Sequence, residues 1–102
     1  MKRITRIWHG TTKAEHADEY LGYVEATGMK EYRQVKGNLS AKLLRRVEGN
    51  ICHFLTVTEW DSYESIKQFA GENYQLAKYY PGDKDFLLSF EEAVAHYETF
   101  EY

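Results

Sequence analysis

Residues 53–71, HFLTVTEWDSYESIKQFAG, change period partway along. Up to Trp60 the side chains alternate: Leu55 and Val57 on one side, Phe54, Thr56, Thr58 and Trp60 on the other. That is a strand pattern. Past Asp61, a good helix N-cap, Tyr63, Ile66, Phe69 and Ala70 recur at helical spacing until Gly71. A strand that runs directly into an amphipathic helix restricts the chain to folds that mix the two elements on one sheet.

The rest of the chain supplies the partners. Residues 3–9, RITRIWH, read as a strand ended by Gly10. Thr12 to Glu15, TKAE, has capping-box spacing. Ala14, Ala17, Tyr20, Leu21 and Val24 follow as one apolar stripe, and Gly28 suits the position that closes a helix over about 12–27. After a connection at 29–37, residues 38–60 read as a hairpin turning at EGN, 48–50. NYQLAKYY extends the second helix by a turn or two until Pro81, and a last strand occupies 92–99. Strand, helix, strand, strand, helix, strand is the ferredoxin-like split βαβ order. The expected fold is α+β: an antiparallel four-stranded sheet with both helices on one face, in a single domain spanning 1–102.

Composition narrows the function. The chain has 102 residues and a net charge of −3 with acids and bases interspersed, so no basic stripe marks a nucleic-acid partner. No apolar run is long enough to span a membrane, and the start, MKRITRIWHG, lacks a signal-peptide core. A lone Cys52 excludes an intrachain disulfide and suits the cytoplasm; it reads as a small buried hydrophobe at a strand start. Aromatic content of 16%, with nine Tyr, favours pockets and interfaces over a wholly dry interior.

Two helices cover one face of such a sheet and leave roughly 400–500 Å² on the other. Leu55 and Val57 are expected beneath the helices, as dry aliphatics. The Phe54, Thr56, Thr58, Trp60 row is then expected on the open side. Whichever way the outer strands turn, ring-bearing side chains remain there. Burying 400 Å² of apolar surface contributes about 10 kcal/mol before association costs. A second copy of the chain, related by two-fold symmetry, is the expected cover.

RIWHG, HFLTVTEWDSYESIKQFAG with YYP starting ten residues after its Phe69, and HYE near the C-terminus together resemble the antibiotic biosynthesis monooxygenase-like family of the dimeric α/β-barrel superfamily. The resemblance covers nearly the whole chain. It implies a homodimer packed sheet to sheet, with a pocket in each protomer between sheet and helices or loops. It also implies oxygenation of small aromatic or quinol-like substrates with neither metal nor cofactor. Haem-degrading members carry an Asn on the first strand, a Trp closing the third and an axial His after the second helix. Trp60 matches the Trp, but Ile7 and Lys78 stand where the Asn and His belong. A non-catalytic small-molecule-binding module of the same fold is the other alternative.

Cofactor-free oxygenation requires a base, hydrogen bonds to the substrate anion, and exclusion of water. His9, at a strand end, is the expected base, although a His there also serves as a structural hydrogen-bonder. Trp60 is expected to stack on a flat substrate or to anchor an interface. Trp8, Phe54, Thr56, Thr58, Tyr79 and His96 complete the expected substrate site. Thr56 and Thr58 also simply favour strands, Tyr79 and Tyr80 suit either a lid or packing of the helix end, and His96 suits a core or interface position. No set of residues has metal-ligand spacing.

Overall fold

A computed structural model describes residues 3–102; the first two residues of the expected domain lie outside the described residues. Strand β1 (Arg3–Lys13) leads through a short 3-10 turn into a continuous helical rod. The rod is α1 (Ala17–Val24), a π turn (Glu25–Met29) and α2 (Lys30–Gln34). The hairpin β2 (Asn38–Glu48) and β3 (Ile51–Trp60) follows, then α3 (Tyr63–Ala70), an irregular stretch containing a 3-10 turn (Pro81–Asp85), and β4 (Ala95–Thr99). The strands lie in the order β2-β3-β1-β4, and every neighbouring pair is antiparallel. This is the ferredoxin-like α+β fold.

Along β1 and β3 every second residue is buried. The buried row of β3 is Cys52, Phe54, Thr56, Thr58 and Trp60; opposite it on β1 stand Thr12, Gly10, Trp8, Arg6 and Ile4. The helices therefore cover the rings and hydroxyls, and Leu55 and Val57 lie on the open face. This reverses the expected assignment. Volume is the reason: Phe54 and Trp60 fill the depth beneath a helix, and no aliphatic pair on the other parity does so. The threonines lose nothing there, because each hydroxyl has a partner. Thr58 donates to the Arg6 carbonyl and accepts from Trp60 Nε1 at 2.8 Å, and Thr56 shares a hydrogen bond with the Tyr32 hydroxyl.

The core is divided in two. Trp8, Ala17, Tyr20, Val24, Cys52, Phe54 and Leu87 pack together under α1. Ile4, Tyr32, Trp60, Ile66 and Phe69 pack under α2 and α3. Between the two clusters, at the centre of the sheet, lie Arg6, Thr56 and Thr58.

Other expectations shift by a few residues. Helix 1 starts later than 12, because β1 runs on to Lys13 and Thr12 donates to the Lys13 carbonyl instead of capping. It also runs through Gly28 to Gln34, since Ala17, Tyr20, Val24, Gly28 and Tyr32 form one buried stripe across the π turn. The second helix is capped by Ser62, whose hydroxyl accepts from the Ser65 amide at 3.2 Å, while Asp61 accepts from the Ser65 hydroxyl. It stops at Gly71, and residues 73–80 are not helical. The last strand starts three residues later than expected.

Gly10 lies inside β1 and does not end it. A Cβ there would sit 2.4 and 2.5 Å from two atoms of the Trp8 indole, which lies across that backbone. Gly10→Ala is therefore expected to destabilise the fold by about 1–3 kcal/mol through overpacking. Chemical denaturation checks this, and in a Trp8→Leu background the same substitution costs less.

Candidate functional site

A cleft opens at the seam between the two ring clusters, on the helix side of the sheet. Arg6, Trp8 and Thr56 form its floor; Tyr20, Val24, Thr27, Gly28 and Tyr32 of the helical rod form one wall; Lys78, Tyr79, Tyr80 and Asp83 close the other side. Its empty space is about 390 Å³ counting the solvent-open mouth, and the side chains that line it leave little of that depth clear. In this conformation the cleft admits water and no aromatic ring.

Local structure explains the walls. The π turn brings Thr27 and Gly28 to the cleft, and the Thr27 hydroxyl donates to the Tyr23 carbonyl four residues back. Such turns disturb regular packing and are frequent at functional sites. Gly28 has no side chain, and a Cβ there would reach ordinary contact with the rings of Tyr80 and Tyr32, at 3.7 and 3.8 Å.

The Lys78–Asp83 segment is fastened at several points. Trp8 Nε1 donates to the Tyr79 hydroxyl at 3.3 Å, and that hydroxyl donates to the Glu91 carbonyl. The Tyr80 hydroxyl donates to Glu31, which also pairs with Lys78, and Lys78 donates to the Phe69 carbonyl. Asp83 is 4% exposed; its carboxylate accepts from the Tyr20 hydroxyl at 2.8 Å and from the Tyr80 amide at 2.6 Å.

The electrostatics are those of a dry site. Burial, reinforced by the Asp83 carboxylate that accepts its proton, pushes the Tyr20 phenol far above its ordinary value. Burial and Glu31 do the same to Tyr80. Burial raises Tyr32 against the opposing pull of Thr56 and Arg6. Four neutral phenols and the Asp83 carboxylate thus line a cleft whose floor carries a guanidinium that is 2% exposed. Burial lowers the Arg6 pKa, with Tyr32 and Tyr80 opposing; an Arg retains its charge even so.

Of the residues singled out in the sequence, Trp8, Thr56 and Tyr79 border the cleft. Phe54, Thr58 and Trp60 lie beneath the helices but in the packed core beside it, Trp60 with no exposed surface. His96 sits opposite Arg6 on β4, against Tyr63 and Tyr74, and its Nε2 is buried without a partner. His9 projects from the opposite face of the sheet. There it stacks on His53, with Nε2 to Nδ1 at 3.1 Å, and Glu91 and Glu48 hold the outer nitrogens of the pair. It cannot serve the cleft, because the strand alternation turns it away.

Sequence reasoning missed Arg6, Tyr20, Tyr32 and Asp83 as site residues. Parity alone would have found Arg6, two residues before Trp8 on the same strand face.

Among the described residues no group of three or more His, Cys, Asp and Glu could hold a metal ion, and no helix is long and apolar enough to cross a membrane.

Two outcomes follow from this geometry. Gly28→Ala is expected to keep or raise helix stability, by up to about 1 kcal/mol, and to weaken binding of any aromatic in the cleft; thermal melts and ligand titration separate the two effects. Burial, with Arg6 nearby, lowers His96 from 6.5 to about 4. A His depressed on folding opposes protonation, so stability is full above pH 6.5 and falls as the pH drops toward 4. In His96→Asn, denaturant midpoints are expected to fall less across that interval than in the parent.

No family model and no curated protein matches the sequence. Solved structures do match along nearly the whole chain. A conserved protein from Methanosarcina mazei Go1 superposes with a TM-score of 0.70 at 16% identity, covering 95% of this chain and 92% of its own. A candidate antibiotic biosynthesis monooxygenase from Nitrosomonas europaea gives 0.64 at 11%, with 96% and 89% covered. SnoaB, a cofactor-independent oxygenase from Streptomyces nogalater, gives 0.59 at 12%, with 100% and 95% covered. At such identities the likeness establishes architecture: the chain has the ferredoxin-like fold of the antibiotic biosynthesis monooxygenase-like proteins.

Proposed function

We propose that the protein is a cofactor-independent monooxygenase that oxidises a small aromatic or quinol-like molecule in the cleft between its helical rod and its sheet. The observation that carries this reading is the cleft itself: a ring-walled space with hydroxyls, one carboxylate, one ammonium and one guanidinium, on a fold shared with a cofactor-independent oxygenase. The ring enters when the Tyr79–Tyr80 segment swings aside, and lies between the two aromatic walls.

Asp83, the carboxylate on the wall, takes the substrate proton. The resulting anion passes one electron to O₂, the radical pair combines to a peroxide anion, and the proton held by Asp83 returns to it to give the hydroperoxide. Loss of water leaves one oxygen in the product, and the substrate supplies both electrons. The protein contributes proton removal, orientation and water exclusion.

Asp83→Asn, which keeps an acceptor for Tyr20, is expected to slow oxygen uptake with an active hydroquinone by about 10²-fold or more. His9→Ala is expected to leave uptake unchanged. Tight binding of aromatics without any uptake across a hydroquinone panel would favour a binding module instead. Haem degradation is not favoured: Ile7 and Lys78 stand where haem-degrading members carry Asn and His, and Trp60 is wholly enclosed.

The reading includes a homodimer closed through the open face. Leu44 lies opposite Leu55, and Val57, Ile7 and Ala95 stand side by side, a band on the face away from the helices. Leu44 and Tyr97 on it are half exposed in the single chain. Sedimentation at micromolar concentration is expected to find a dimer, and Val57→Lys, which places a charge in that band, to shift it to monomer.

A further inference from the structure

We propose that Arg6 makes the cleft selective for aromatic ligands bound as ring oxyanions, a phenolate or enolate, rather than as neutral molecules. This rests on the cleft being the ligand site and goes further, by assigning the charge of what it holds.

Arg6 is the floor of the cleft and is almost wholly buried. Among the described residues no carboxylate pairs with it. Its Nη2 donates to the Leu76 carbonyl at 3.3 Å, the Tyr32 hydroxyl helps to hold its charge, its Nε is buried with no acceptor among the described residues, and its guanidinium lies 5.4 Å from the centre of the Phe69 ring. A buried charge is normally paired, because removing it from water is costly.

The other charged groups at the cleft are already engaged. Lys78 is held by Glu31 and the Phe69 carbonyl, and Asp83 by Tyr20 and the Tyr80 amide. The acceptor that Arg6 lacks is therefore one that a ligand brings. A single buried N–H without an acceptor suits one oxyanion, whereas a carboxylate prefers two parallel donors. The rings of Trp8, Tyr32 and Tyr79 beside it require that the oxyanion be carried on something flat.

On binding, the ligand O–H breaks heterolytically: the electron pair stays on oxygen, the proton passes by way of the Asp83 carboxylate to solvent, and nothing is oxidised. The phenolate then lies against the guanidinium, with the Thr56 and Tyr32 hydroxyls within the same cleft.

The test uses 4-nitrophenol, whose ionisation is visible in its absorbance, and 4-nitroanisole, its neutral counterpart, on the intact protein under nitrogen. The bound phenol is expected to titrate at least one unit below the free phenol, a tenfold preference for the anion, and the anisole to bind at least tenfold more weakly. Arg6→Gln is expected to abolish the shift and Arg6→Lys to restore part of it. Because the wild-type measurement stands without any variant, a variant that fails to fold does not rescue or sink the proposal. Equal binding of phenol and anisole, an unshifted titration, or no binding of either overturns it. Neither probe is consumed and oxygen is absent. A shifted titration with no hydroquinone oxidation would retain this inference and discard the oxygenase. Oxidation with an unshifted titration would do the reverse.

Discussion

A guanidinium held at the dry centre of a four-stranded sheet is the constraint around which the interior is arranged. Arg6 stands opposite Thr58, with Trp8 and Thr56 as the next pair along and Ile4 and Trp60 on the other side. Polar side chains at that point prevent the two ring clusters from merging into one core. A packed interior tolerates polar groups only where each finds a partner. Here the threonine hydroxyls, the Trp60 indole and the Tyr32 phenol satisfy one another, and the Leu76 carbonyl takes one N–H of Arg6. What remains unsatisfied among the described residues is the Arg6 Nε, together with Nε2 of His96, which stands opposite it on β4. The cleft follows from the same seam: two hydrophobic clusters that cannot close on a charge leave a gap above it.

The two faces of the sheet are thereby divided in character. The helix side carries the bulky rings, the cleft and the buried charge. The open side carries a narrower aliphatic band and the His9–His53 pair with its two carboxylates. The lid segment joins them, because Tyr79 contacts Trp8 on one face while its hydroxyl donates to the carbonyl of Glu91, whose carboxylate reaches His9 on the other.

Much of the fold was legible in the sequence. The period-two run of 51–60, the hairpin turn with Gly49 at positive φ and the helix closed by Gly71 all stand as read. What failed was the choice of face, and the reason is instructive. Treating threonine as an outward residue ignores that its hydroxyl finds internal partners, while Phe54 and Trp60 supply volume that Leu55 and Val57 lack. Cys52 already held the answer. It was read as buried, and it shares parity with Phe54, Thr56, Thr58 and Trp60. The helical stripe continuing from Val24 through Gly28 to Tyr32 likewise signalled that Gly28 is interior. Arg6 escaped notice because a charged residue is by default assigned to solvent, and only tertiary packing shows that this one is not.

Everything functional depends on ligands entering on the helix side of the sheet. A crystal soaked with a hydroquinone or a nitrophenol tests that directly. Electron density for the ring among Arg6, Thr56 and Tyr32, with the Tyr79–Tyr80 segment displaced, is the expected result. Density instead on the opposite face, against His9, His53 and Leu55, would contradict the account.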